Sequence, residues 1–114
     1  MTSPFGVYVH IPFCARRCDY CAFATWTDRH HLQGAYLDAL RVDIARSGLA
    51  PVTSVFVGGG TPTLVDPAGL AAVLATIPTV DGAEVTVECN PDDVSVALFE
   101  VYRRAGVNRV SLGV

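Results

Sequence analysis

The 114-residue chain reads as an α/β domain built on a parallel sheet. Three observations predict this class. Short runs rich in Val, Ile, Phe and Tyr alternate with longer stretches whose apolar residues recur at helical spacing. Successive strand-like runs are separated by enough chain for a helix, as parallel pairing requires. Glycine, proline and capping residues fall at the joints between these stretches. The predicted order is β-α-β-α-β-α-β, with right-handed crossovers.

The first strand is "FGVYVHIP", Phe5 to Pro12, rich in β-branched and aromatic residues. A cysteine-bearing loop follows it. From about His30 to Arg46 the spacing of Tyr36, Leu37, Leu40 and Ile44 predicts a helix, and Gly48 and Pro51 punctuate its end. "SVFVGGG", Ser54 to Gly60, is a second strand running into a glycine turn. Asp66 is placed to cap a second helix with Pro67 in its first position. Leu70, Val73, Leu74 and Ile77 form its buried stripe, and Pro78 stops it. "EVTVE", Glu84 to Glu88, is the third strand. "SVALFEVYRRAG", Ser95 to Gly106, is a third helix with Leu98, Val101, Tyr102 and Ala105 inward. "RVSLGV", Arg109 to Val114, is the fourth strand. No linker, low-complexity segment or repeat beyond this rhythm interrupts the chain.

Composition narrows the function classes. The net charge is −3 and no basic block occurs, which argues against nucleic acid or an acidic membrane surface as a partner. No apolar run reaches the roughly 18 residues of a membrane span, and the first residues lack the pattern of a signal peptide. The expected location is cytoplasmic, where thiols stay reduced.

Against that background the cysteines stand out. Cys14, Cys18 and Cys21 crowd into one short stretch, "CARRCDYC", directly after the first strand. A local trio is a poor disulfide framework, so the pattern points to metal or cofactor ligation or to redox chemistry. A structural zinc site normally takes four closed ligands. Cys89 or His10 could supply a fourth, although neither has the usual pair spacing, and Cys89 reads better as a small buried hydrophobe. An iron–sulfur cluster on three thiolates leaves one iron open to an outside ligand. In parallel α/β sheets, active groups gather at the carboxyl ends of the strands. The cysteines, Gly58 to Thr61, and Glu88 with Asn90 all fall there. Taken singly, the glycines read as a turn, Asn90–Pro91 as a turn former, and His10 as a satisfied strand histidine. His30 and His31 read as the solvated start of a helix. Arg16 and Arg17 are either solvated or stabilise an anionic cluster.

"CARRCDYC" preceded by "YVHIPF" resembles the cluster loop of the radical S-adenosylmethionine superfamily. Within it, the stretch is most similar to the oxygen-independent coproporphyrinogen III oxidase family, above all its haem-chaperone-like branch. "GGGTPT" (Gly58 to Thr63), "ECNPDDV" (Glu88 to Val94) and "NRVSLGV" (Asn108 to Val114) resemble that family's next motifs, in the same order. The resemblance implies a [4Fe–4S] cluster on Cys14, Cys18 and Cys21, with S-adenosylmethionine on the open iron. It implies reductive cleavage of that cofactor to a 5′-deoxyadenosyl radical, an electron donor as partner, and a porphyrin or haem as substrate or cargo. It assigns Gly59, Gly60 and Thr61 to the methionine end of the cofactor and Glu88 to its polar hydrogens. Tyr20 would lie by the adenine, and Tyr8 would reach the cofactor from the first strand. Glycines suit such a role because a missing Cβ lets backbone approach a ligand.

The family's oxidases carry a further cysteine two residues after the third ligand, where this chain has Phe23. That departure favours the haem-chaperone-like branch. Relatives also tend to carry a polar or acidic residue where Ala22 stands. The family's domain is a partial (β/α)6 barrel, and four strands are its first four. Residues 1–114 are therefore expected to be the N-terminal part of a radical S-adenosylmethionine core, a fragment inactive by itself. Three function readings follow: a radical enzyme of porphyrin metabolism, a haem chaperone on the same fold, and a structural metal-binding module.

Overall fold

The structure, a computed structural model, describes residues 6–12, 32–60 and 62–112. Four strands, β1 (Gly6–Ile11), β2 (Val52–Gly59), β3 (Thr79–Cys89) and β4 (Arg109–Leu112), alternate with three helices, α1 (Gln33–Ser47), α2 (Pro67–Ala75) and α3 (Val96–Arg104). The strands pair in sequence order, all parallel. This is the predicted βαβαβαβ architecture, consistent with the first four strands of a partial barrel of the radical S-adenosylmethionine type.

Local chemistry accounts for the element ends. Asp66 accepts a hydrogen bond from the Gly69 amide at 3.1 Å, with Pro67 opening α2. Ser95 caps α3 by accepting from the Leu98 amide at 3.1 Å. Gly48 ends α1 in the left-handed region at φ 63°, where a side chain would be strained. The third strand runs longer than predicted. Val52 pairs with Thr79 but Ser54 pairs with Glu84, so β3 holds extra residues between those points, with Gly82 at φ 77°. A bulge of this kind leaves a turn-like sequence, "VDGA", inside a strand.

Alternation along the strands sorts the two faces of the sheet. Val9, Ile11, Val55, Val57, Val85, Val87 and Cys89 join Leu37, Leu70, Val73, Leu74, Leu98 and Tyr102 of the helices in one buried core. The register aligns Val9, Val57, Val87 and Val110 in a row across the sheet. Residues of the alternate set, Tyr8, His10, Phe56, Gly58, Thr86 and Glu88, belong to the other face. There Tyr8 keeps 57% of its surface exposed and Phe56 keeps 37%. The aliphatic face is thus covered by helices, while the other face is partly exposed at Tyr8 and Phe56 and buried at Thr86.

Candidate cofactor site

The site is assembled by strand register. One residue beyond the valine row lie His10, Gly58, Glu88 and Ser111, near the carboxyl ends of β1 to β4. One residue before it lie Tyr8, Phe56, Thr86 and Arg109. These two rows share one face, so Tyr8 and Glu88 lie on the same face from strands that are not neighbours. Tyr8 stacks on Phe56 with ring centroids 5.8 Å apart and planes 10° from parallel. The Tyr8 phenol has its pKa raised, first by burial and then by the negative charge of Glu88. At neutral pH it is a protonated hydroxyl able to donate.

The glycine turn is shaped by close approach. Gly59 has φ 111°, and a Cβ there would lie 2.6 Å from His10 Nδ1 and 3.0 Å from the Ile11 carbonyl oxygen. A Cβ at Gly58 would lie 2.7 Å from the Phe56 ring and 3.1 Å from the Tyr8 hydroxyl. The Gly60 amide donates to the Ile11 carbonyl at 2.7 Å, locking the turn to the end of β1. From α1, the Tyr36 hydroxyl donates to the His10 carbonyl and fixes the same strand end. After β3, Asn90 accepts from the Asp92 amide at 3.0 Å and shapes a short 3-10 turn, Pro91–Asp93. A second 3-10 turn, Pro62–Leu64, packs against β3. Between these turns the Thr63 hydroxyl donates to the Asp93 carboxylate at 3.2 Å.

Of the residues assigned from sequence, the structure brings Tyr8, Gly59, Gly60 and Glu88 to one rim. Cys14, Cys18, Tyr20, Cys21 and Thr61 lie outside the described residues, as do Arg16, Arg17, Ala22 and Phe23. The carboxyl end of β1 lies beside the glycine turn, where the Gly60 amide meets the Ile11 carbonyl. Among the described residues, no group of three His, Cys, Asp or Glu is placed to hold a metal ion. Cys89 is buried in the helix-side core, where its thiol's pKa is raised by burial and then by Glu88. It sits on the face opposite Glu88, as expected of a small buried hydrophobe. Phe56, Thr63 and Asp93 were not among the assigned residues. Period-two alternation in "SVFVG" carries the signal for Phe56; nothing local marks the Thr63–Asp93 contact.

The family profile described as the Radical SAM superfamily matches residues 8–114. The haem chaperone HemW of Escherichia coli (strain K12) is 37% identical over 97% of this chain and 32% of its own length. A mitochondrial radical S-adenosyl methionine domain-containing protein 1 from Danio rerio is 40% identical over 96% of this chain and 26% of its own. Among solved structures, coproporphyrinogen III oxidase (HemN) from Escherichia coli, described as a radical SAM enzyme, superposes with a TM-score of 0.83 at 32% identity. That match covers 97% of this chain and 28% of the other. The chain thus spans about a third or less of the length of the relatives it matches. Among the described residues no helix is long and apolar enough to cross a membrane.

Proposed function

The chain belongs to the radical SAM superfamily, and from that premise we propose that it carries the cluster loop and first part of the cofactor site of a radical S-adenosylmethionine protein of porphyrin or haem metabolism. Cys14, Cys18 and Cys21 would hold a [4Fe–4S] cluster and leave a place on it for S-adenosylmethionine. When bound, the reduced cluster supplies the electron that splits the sulfonium into methionine and a 5′-deoxyadenosyl radical. Residues 1–114 are the N-terminal part of that core.

The observation that carries this reading is the convergence of Gly59, Gly60, Tyr8 and Glu88 on one rim beside the exit of β1. Their chemistry fits the cofactor. The glycine turn offers backbone with no Cβ at the carboxyl end of β2, where a ligand can approach closely. Glu88 accepts from an ammonium or a ribose hydroxyl. Tyr8, kept protonated, donates. The exposed Tyr8–Phe56 stack offers an apolar ring surface on the same face. Thr61 and Tyr20 complete the cofactor contacts in this proposal.

Anaerobic reconstitution with iron and sulfide, followed by electron paramagnetic resonance of the reduced protein, tests it. Adding S-adenosylmethionine is expected to change the reduced-cluster signal, and Cys14→Ser, Cys18→Ser or Cys21→Ser to abolish it. An unchanged signal, or zinc in place of iron and sulfide, defeats the reading.

A second reading concerns the branch. Phe23 stands where the oxidases carry a further cysteine, and curated relatives include HemW haem chaperones from Escherichia coli and Bacillus subtilis. We therefore favour haem transfer over porphyrinogen oxidation for the protein to which this core belongs. Saturable uptake of haemin, followed by its absorbance, is the expected result; its absence from a protein of the relatives' full length removes this second reading.

A further inference from the structure

We propose that Thr63 and Asp93 form a positioning pair that couples the glycine turn after β2 to the turn after β3, so that Gly59–Gly60 and Glu88 meet a ligand as one unit. The inference rests on the cofactor reading above and adds residues to it. The Thr63 hydroxyl donates to Asp93 Oδ2 at 3.2 Å across 30 residues of sequence. Both partners sit on turns already fixed by their own chemistry. Pro62 is fully buried, and the Val65 amide donates to its carbonyl at 3.2 Å. Pro91 opens the other turn, where Asn90 takes the Asp92 amide on its side chain and the Asp93 amide on its carbonyl. The contact therefore joins two stiff pieces, and little conformational entropy is lost in making it.

Its place gives it a role beyond stability. Thr63 lies three residues past Gly60, and Asp93 five past Glu88. Gly60 is itself bonded to Ile11 at the end of β1. The pair thus extends a chain of contacts from β1 through the glycine turn to the end of β3. A ligand held by backbone on one side and a carboxylate on the other depends on that spacing, and small misplacements of binding groups weaken binding.

Hydrogen exchange on the whole chain, without cluster or cofactor, reads the coupling directly. Thr63→Val is expected to speed exchange at Gly58–Gly60 and at Glu88–Asp92 together, by about three- to tenfold, the range one such bond supports. Thr63→Ser should restore both, and Thr63→Val combined with Asp93→Ala should be no faster than either alone. Faster exchange confined to the mutated turn, or single effects that multiply in the double variant, overturns the proposal. In the reconstituted protein, Thr63→Val should weaken S-adenosylmethionine binding by a similar factor with iron content unchanged, and unaltered affinity also overturns it. If the unmodified protein binds no S-adenosylmethionine, the cofactor reading fails while the exchange experiment still decides the coupling.

Discussion

Gly59→Ala is the sharpest test of the glycine turn, because two costs can be separated within the same protein. Gly82 has φ 77° with nothing within 4 Å of an added Cβ. Gly82→Ala therefore reports the backbone cost of a left-handed conformation alone, about 1–2 kcal/mol. Gly59 has φ 111°, and its Cβ would also meet His10 Nδ1 at 2.6 Å and the Ile11 carbonyl oxygen at 3.0 Å. The imidazole can swing aside, but the carbonyl is bonded to the Gly60 amide and resists. Overpacking of this kind adds about 1–3 kcal/mol, so Gly59→Ala should destabilise by about 2–5 kcal/mol. Gly34, with nothing within 4 Å and no positive φ, lies in the first turn of α1. Gly34→Ala should be neutral or stabilise by up to about 1 kcal/mol. Urea unfolding of the three variants, followed by far-ultraviolet circular dichroism with the denaturant slope unchanged, gives the comparison. A Gly59→Ala variant no less stable than Gly82→Ala refutes the close approach of the turn to β1.

Asn108 pins the entry of β4 to β3: its side chain accepts from the Val85 amide at 2.9 Å and donates to the Ala83 carbonyl at 2.8 Å. Asn108→Ala should cost about 1–3 kcal/mol, with hydrogen exchange rising first along Arg109–Leu112. Asp66→Ala removes the cap on the Gly69 amide and should lower stability by about 1 kcal/mol in urea unfolding. Tyr102 has its pKa raised above the ordinary value of 10.0, by burial first and then by Cys89 and Asp93. The folded chain holds that proton more tightly than the unfolded one. Its contribution is therefore complete below pH 10 and lost as pH rises beyond it. Tyr102→Phe should flatten the alkaline fall in unfolding free energy. At neutral pH it should cost little, because the buried hydroxyl has no hydrogen-bond partner among the described residues.

The order of elements was legible because each helix announces itself locally. Asp66 with Pro67, Ser95 and the left-handed Gly48 act within one turn of chain, and their chemistry is written in neighbouring residues. The start of β3 was not legible. "VDGA" has the composition of a turn, and only pairing with β2 holds it extended around the bulge at Gly82. Tertiary pairing overrode a local signal there. Of the two 3-10 turns, the one after β3 was marked by Asn90–Pro91, whereas Pro62–Leu64 is a single turn with no periodicity to detect.

The candidate site divides along the same line. The three cysteines proposed for one metal centre lie close together in sequence, so C-x3-C-x2-C points to that chemistry without any knowledge of the fold. A cradle for the cofactor is a nonlocal object. Tyr8 and Glu88 are 80 positions apart, and they share one face because Val9 aligns with Val57 and Val57 with Val87. A one-residue slip of β3 against β2 would send Glu88 into the core and bring Cys89 to the open face, and the same slip of β1 would turn Tyr8 inward. The aliphatic residues that fix this register touch no ligand. They decide which carboxylate reaches the open face, so the chemistry of the rim rests on the packing of the valine row as much as on the polar groups that it presents.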